Sequence, residues 1–130
     1  MKRYKRAGLI VIVVLLVGFG LAALKHFASD DTISAEDAHG YVGEVKTVCG
    51  KVVATHYAES DIHKPTLLNL DKPYPNDIFT IVILGSRRNL FENPPEVFYR
   101  DKKVCVTGSI IDYQGMTLTV VNSPSQIEIK

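Results

Sequence analysis

Ala7 to Leu24 is a run of 18 residues without a charged or strongly polar side chain, and no other feature limits the fold as severely. Wound as a helix it extends roughly 27 Å at about 1.5 Å per residue, close to the thickness of a bilayer's hydrocarbon core. In a chain of 130 residues that leaves room for one domain. Lys2, Arg3, Lys5 and Arg6 precede the run, whereas only Lys25 directly follows it, ahead of His26, Asp30 and Asp31. Cations gather on the cytoplasmic side of a single span. The N-terminus is therefore expected inside and the body of the chain outside the cytoplasm, periplasmic or extracellular. A cleaved signal peptide is the competing reading. Its apolar core is shorter, about 7–15 residues, and ends on small side chains, while the best cleavage segment here, His26-Phe27-Ala28, opens with a bulky imidazole. The expectation is an uncleaved, single-pass signal anchor in the cell (inner) membrane. It comprises a basic tail over 1–6, a transmembrane segment over 7–24, a polar tether with a short helix over 25–40, and a folded domain over 41–130.

Within the tether, Ser34 followed three residues later by Asp37 has the spacing of a helix N-cap with an acidic partner. Ala35 to His39 can then wind one or two turns before Gly40 stops them. From Glu44 onward Val, Ile and Thr dominate, and turn residues separate short runs, which is a β pattern. Five strands are expected: Glu44–Thr55, with a bulge or bend at Gly50, then about Thr66–Leu70, Ile78–Leu84, Lys103–Asp112 and Met116–Val121. Gln126–Ile129 adds an extended edge piece. Tyr113-Gln114-Gly115 reads as a short hairpin with glycine where positive φ is needed. Asn93-Pro94-Pro95 starts a short helix over Glu96–Arg100, since proline fits a first turn. Phe79, Phe91, Phe98 and Tyr99 are expected in the core. Three strands, a helical connection and a two-strand hairpin is the order of an all-β, five-stranded OB-fold Greek-key barrel, with the helix between strands 3 and 4. An SH3-like barrel is the alternative, and it lacks a helix at that place.

Several segments also resemble a family of bacterial OB-fold modules related to the anticodon-binding type. They are Tyr41-Val42-Gly43-Glu44, Val48-Cys49-Gly50-Lys51-Val52, Leu68-Asn69-Leu70 with Tyr74-Pro75, Phe79-Thr80-Ile81-Val82-Ile83, Val104-Cys105-Val106-Thr107-Gly108 and Ser123-Pro124-Ser125-Gln126-Ile127. Modules of this family occur alone or beside extracellular nuclease domains. The resemblance spans about Tyr41 to Ile129 and implies the fold together with nucleic-acid binding, DNA included. It implies no catalysis, because no nuclease domain is present.

Cys49 and Cys105 fall on the first and fourth strands, which are neighbours in such a barrel. By alternation Cys49 shares a face with Thr47 and Lys51, and Cys105 with Thr107 and Ser109. A disulfide between them is expected in an oxidising compartment, and closing so long a loop stabilises a fold by roughly 4 kcal/mol. Two separate buried thiols are the alternative.

No arrangement of residues points to catalysis or to a cofactor. His56, Asp61 and His63 share one loop at a spacing that matches no zinc pattern, so no metal site is assigned. There is no Ser/His/Asp order, phosphate-cradling glycine loop or nucleophile elbow, and the chain reads as non-enzymatic. From Gly40 to Lys130 ten basic residues balance ten acidic ones, which excludes binding that depends on a strongly basic surface. A single-stranded nucleic acid still needs a local positive track and aromatic platforms. On the usual ligand surface of an OB barrel these would come from Lys51, Tyr57, Thr80, Arg87, Arg88, Tyr113 and Gln114. A protein-interaction or scaffold module of the cell envelope is the second functional expectation.

Overall fold

The computed structural model describes residues 31–130. The expected basic tail, the apolar run Ala7–Leu24 and the first part of the tether lie outside the described residues. Among the described residues no helix is long and apolar enough to cross a membrane. Thr32 to Lys130 forms one compact unit, all-β with a few short helices. Its strands are β1 (Thr32–Ser34), β2 (Val45–Tyr57), β3 (Thr66–Leu70), β4 (Thr80–Ile83), β5 (Lys103–Ser109), β6 (Ile111–Tyr113), β7 (Met116–Val121) and β8 (Ile127–Ile129).

The 13 residues of β2 organise the rest. Its first half pairs antiparallel with β5 from Val45↔Ser109 to Lys51↔Lys103. Its second half pairs antiparallel with β3 from Val52↔Leu70 to Tyr57↔Thr66, with a register shift between Val52 and Ala54. One extra residue at such a shift bends and twists a strand, so β2 leaves one sheet and enters another. Val48, Gly50 and Val52 are the buried positions of β2, and Val48 and Val52 join Val104 and Val106 of β5 in a core completed by Leu68, Phe79, Ile81, Ile83 and Val121. Each such aliphatic or aromatic side chain contributes about 1.5–3 kcal/mol when fully buried.

The hydrogen-bonded order is β6-β7-β4-β3-β2-β5-β8, with β1 beside β2. β7 lies parallel to β4 and antiparallel to β6. This ladder does not close on itself. β5 and β6, which stand far apart along it, are however separated in the chain by Ile110 alone. The Ile110 side chain is buried. Its N–H donates to the Glu44 carbonyl at 2.9 Å, and its own carbonyl accepts from Gly43 at 2.8 Å. The chain thus turns a corner at Ile110 and changes pairing partner. At the hairpin that follows, Gln114 (φ 51°) and Gly115 (φ 83°) both adopt the left-handed conformation, as a two-residue turn of this kind demands.

Several expectations need correcting. Eight strands stand where five and an edge piece were expected. The expected fourth strand, Lys103–Asp112, breaks at Ile110 because its two halves serve different neighbours. The bend assigned to Gly50 falls after Val52 instead. Gly50 stays in register opposite Val104; its need for glycine is the Asp71 carboxylate, which would stand 2.9 Å from an added Cβ. The helix expected over Glu96–Arg100 runs over Pro95–Phe98, and an unforeseen helical turn covers Gly85–Arg88. The larger difference is at the tether. Thr32–Ser34 is a strand parallel to β2, and the helical turn is a 3-10 turn over Ala38–Tyr41. Ala35 and Ala38 are fully buried, so two alanines among acidic neighbours carry this segment into the core.

Cys49 and Cys105 stand directly opposite each other in the β2–β5 ladder and form a disulfide with Cα atoms 4.0 Å apart. As alternation requires, the neighbouring pair on the same face is Thr47–Thr107, whose hydroxyls meet at 2.8 Å. The protein isolated under non-reducing conditions is expected to weigh two hydrogens less than its sequence. Reduction of this 56-residue separation should lower its stability by roughly 4 kcal/mol. Two freely alkylated thiols in the native protein would contradict the pairing.

Candidate functional site

The residues expected to form a ligand surface separate into three places. Tyr57 ends β2, and Arg87 and Arg88 follow the Ile83 end of β4 in the turn Gly85–Arg88. The backbone ties these elements together, since Gly85 N–H donates to the His63 carbonyl at 2.9 Å. Tyr113 and Gln114 form the β6–β7 hairpin. Met116, the partner of Tyr113, lies two residues before Leu118, which pairs with Thr80 at the other end of β4. Lys51 belongs to the β2–β5 ladder, on the face that carries the disulfide.

Arg88 is the most heavily engaged of these side chains. Its guanidinium donates to both Glu96 carboxylate oxygens at 2.7 and 2.9 Å and to the Thr66 hydroxyl at 2.9 Å. Its central carbon stands 3.8 Å from the centre of the Tyr57 ring. A planar guanidinium suits this combination of bidentate and stacking contacts. The hydrogen bonds from Arg88 hold the Glu96 carboxyl below the usual carboxylate range, and Glu96 raises the Arg88 value in return. Arg88 therefore pins the two short helices to β2 and β3. Its donors are thus committed to contacts within the domain, and Tyr57 is covered on one face by the same guanidinium. The short helix Pro95–Phe98 that supplies Glu96 follows from Pro94-Pro95, but the reach back to Arg88 has no signature in the sequence.

Thr80 is 1% exposed, and its hydroxyl accepts a hydrogen bond from the Asn69 amide at 2.9 Å. Around this pair, on the face turned from the core, Val82 and Leu118 are buried too. The centre of the β3–β4–β7 face is thus aliphatic with one satisfied polar pair, and it presents no stacking platform. Arg87, Tyr113 and Gln114 are exposed.

An open groove of ≈ 650 Å³ runs along His56 to Asp61. A second of ≈ 400 Å³ lies over Arg88, Phe91 and Asn93–Pro95. Asp61 uses its carboxylate to accept the backbone N–H of His63 at 3.0 Å. Among the described residues no three His, Cys, Asp or Glu side chains gather to hold a metal ion.

Lys51 acquires neighbours that were not foreseen. The ladder sets it opposite Lys103, and the β5–β8 register that pairs Cys105 with Glu128 continues to Lys103 and Lys130. Lys130 N–H donates to the Lys103 carbonyl at 2.9 Å. The signal was present in the cysteines: once Cys49 and Cys105 are opposed, residues two places further along must be opposed as well.

No protein-family model matches the sequence, and no curated protein matches it. Among solved structures the chain is similar to the crystal structure of a putative aspartyl-tRNA synthetase from Leishmania major Friedlin, with a TM-score of 0.46 and 10% sequence identity. That likeness covers 85% of this chain and 26% of that one, so this chain spans about a quarter of its neighbour's length.

Because the Arg88 donors are committed within the domain, Arg88→Ala should cost about 2 kcal/mol by leaving Glu96 and Thr66 without their donor. Thermal unfolding would then fall by roughly 10 °C. The Glu96 contribution is complete at neutral pH and disappears as pH falls through its lowered value. Glu96→Gln should therefore destabilise the protein at neutral pH and converge on the parent in acid. Equal thermal midpoints at neutral pH would remove the pair from the fold's supports.

Proposed function

We propose that this chain is a membrane-anchored, non-enzymatic binding module built on an OB-type barrel, and that it engages single-stranded nucleic acid or a similar oligomer outside the cytoplasm. The observation that carries the barrel reading is the strand arrangement. The meander β2–β3–β4, the helical connection and the hairpin formed by β5–β6 and β7 follow one another, with β7 parallel to β4 and β5 antiparallel to β2. A partly open five-stranded Greek-key barrel has this order, and oligonucleotides and oligosaccharides are its usual ligands. Its ligand lies across exposed side chains, which here include Lys51, Arg87, Tyr113 and Gln114. The anchor reading is supported by the apolar run Ala7–Leu24 behind four cations.

Near-equal charge limits the affinity this module can reach, because salt-sensitive binding grows with the number of phosphates neutralised. Fluorescence anisotropy of a labelled oligothymidylate with the full chain in neutral detergent should show binding at low ionic strength that weakens as salt rises. No binding at the lowest salt would refute the nucleic-acid reading. The same near-equal charge favours a second reading, a protein-interaction or scaffold module of the cell envelope. Crosslinking in intact cells would then recover a defined protein partner. For the location, alkaline phosphatase fused to the C-terminus is expected to be active, whereas a fusion active only in a cytoplasmic reporter format contradicts the anchor's orientation.

A further inference from the structure

The outer face of the β2–β5–β8 sheet is written in rows across the strands. Thr47 stands opposite Thr107, Cys49 opposite Cys105 and Lys51 opposite Lys103; β8 adds Glu128 beside Cys105, and the next step of that register adds Lys130 beside Lys103. Lys51, Lys103 and Lys130 thus form one line of three ammonium groups across three neighbouring strands, and all three residues are exposed. Backbone bonds link Val52 with Lys102 and Ile110 with Glu44, each at 2.9 Å. The Lys51/Lys103 pair therefore falls at a non-hydrogen-bonded position, where opposed side chains approach most closely.

Like charges directly opposite each other destabilise a sheet. Among the described residues neither Lys51 nor Lys103 forms an ion pair. Glu128 is held by Lys130 at 3.2 Å, and Asp71 directs one carboxylate oxygen to the backbone N–H of Lys51 at 2.8 Å. The Cys49–Cys105 bridge lies in the adjoining row and locks β2 to β5 beneath the repelling pair. Strands about 4.8 Å apart carry these cations on long flexible stems, so they can meet successive phosphates of an extended backbone. The row also stands well along β2 from the point where the chain enters the fold. β1 is parallel to β2 with Thr32 level with Thr47, and Lys51 lies four residues further, roughly 13 Å at 3.3 Å per residue.

We propose that the Lys51–Lys103–Lys130 row is a phosphate-binding track, and that the phosphodiester backbone of a single strand runs across the sheet at this line. The inference rests on the proposed nucleic-acid binding and moves its electrostatic centre from Arg87 and Arg88 to the disulfide-bearing face.

The test measures anisotropy of labelled oligothymidylate with the full chain, Lys51→Ala/Lys103→Ala and Lys64→Gln, an exposed lysine between β2 and β3, over a salt series. Three phosphate contacts predict a slope of log affinity against log salt of about −2 for a single strand. The double variant should lose on the order of tenfold in affinity and flatten that slope, while Lys64→Gln changes neither. Relief of the repulsion should also leave the double variant folded, with a thermal midpoint at low salt equal to or above the parent's. Soluble dihexanoyl phosphatidylglycerol serves as competitor. Failure to displace the oligonucleotide supports a nucleic-acid source for the phosphate, and displacement at lower concentration than unlabelled oligothymidylate overturns it. If the parent binds and the double variant binds equally, the row is wrong and the proposed function stands. If the parent does not bind, both fall.

Discussion

The fold depends on one strand that belongs to two sheets. β2 offers both edges of its first half to β1 and β5, then bends after Val52 and offers its second half to β3. Each pairing constrains the next, because a slip of one residue would turn every inward side chain outward. Val48 and Val52 would exchange places with Thr47 and Lys51, and the buried valines of β5 would face polar groups. The disulfide in the middle of the first half forbids that slip covalently, and the Asp71 carboxylate against Gly50 marks the same register from the other side. The corner at Ile110 plays the matching role on the facing strand.

Electrostatics in this domain are local. Balanced totals conceal an Arg88–Glu96 pair that serves packing and a lysine line with few counter-charges. Arg88 spends its donors on Glu96 and Thr66 and its face on Tyr57, and so brings the helical connection against β2 and β3. Lys102 behaves alike: its ammonium donates to the Phe98 carbonyl at 2.7 Å and rests 3.9 Å from the centre of the Phe98 ring. Arg100 donates to the Thr55 hydroxyl at 2.7 Å. Arg88, Lys102 and Arg100 are thus occupied with architecture, whereas Lys51 and Lys103 on the disulfide face form no ion pair among the described residues. A count of Lys and Arg cannot separate these two populations, because the distinction rests on partners brought in from remote positions.

How far the molecule could be read in advance follows the range of the interactions involved. β3 and β7 were legible to the residue, since each is a short apolar run bounded by turn residues. The hairpin at Gln114-Gly115 was legible for the same local reason. The cysteine pairing needed only alternation and the adjacency of two strands. What escaped depends on remote partners. Nothing near Ile110 announces that its strand changes neighbours, and nothing in Thr32–Ser34 announces a strand, because its merit is the open edge of β2 lying alongside. The burial of Thr80 and the internal partners of Arg88 also have no local signature. Thr80 is closed over by Asn69, Val82 and Leu118, and Arg88 answers a carboxylate eight residues on. Lys103 and Lys130 were overlooked although the opposed cysteines already implied the first of them.

The way the chain enters the domain has a mechanical corollary. β1 runs in the same direction as β2, and Ser34 stands beside Cys49. A pull applied at the N-terminal end of β1 along its axis would load its bonds to β2 together in shear. The sulfur bridge beside that contact passes the load straight on to β5, sharing it between two strands at the heart of the domain. A module joined to a moving support in this way would transmit a tug to its barrel as a whole.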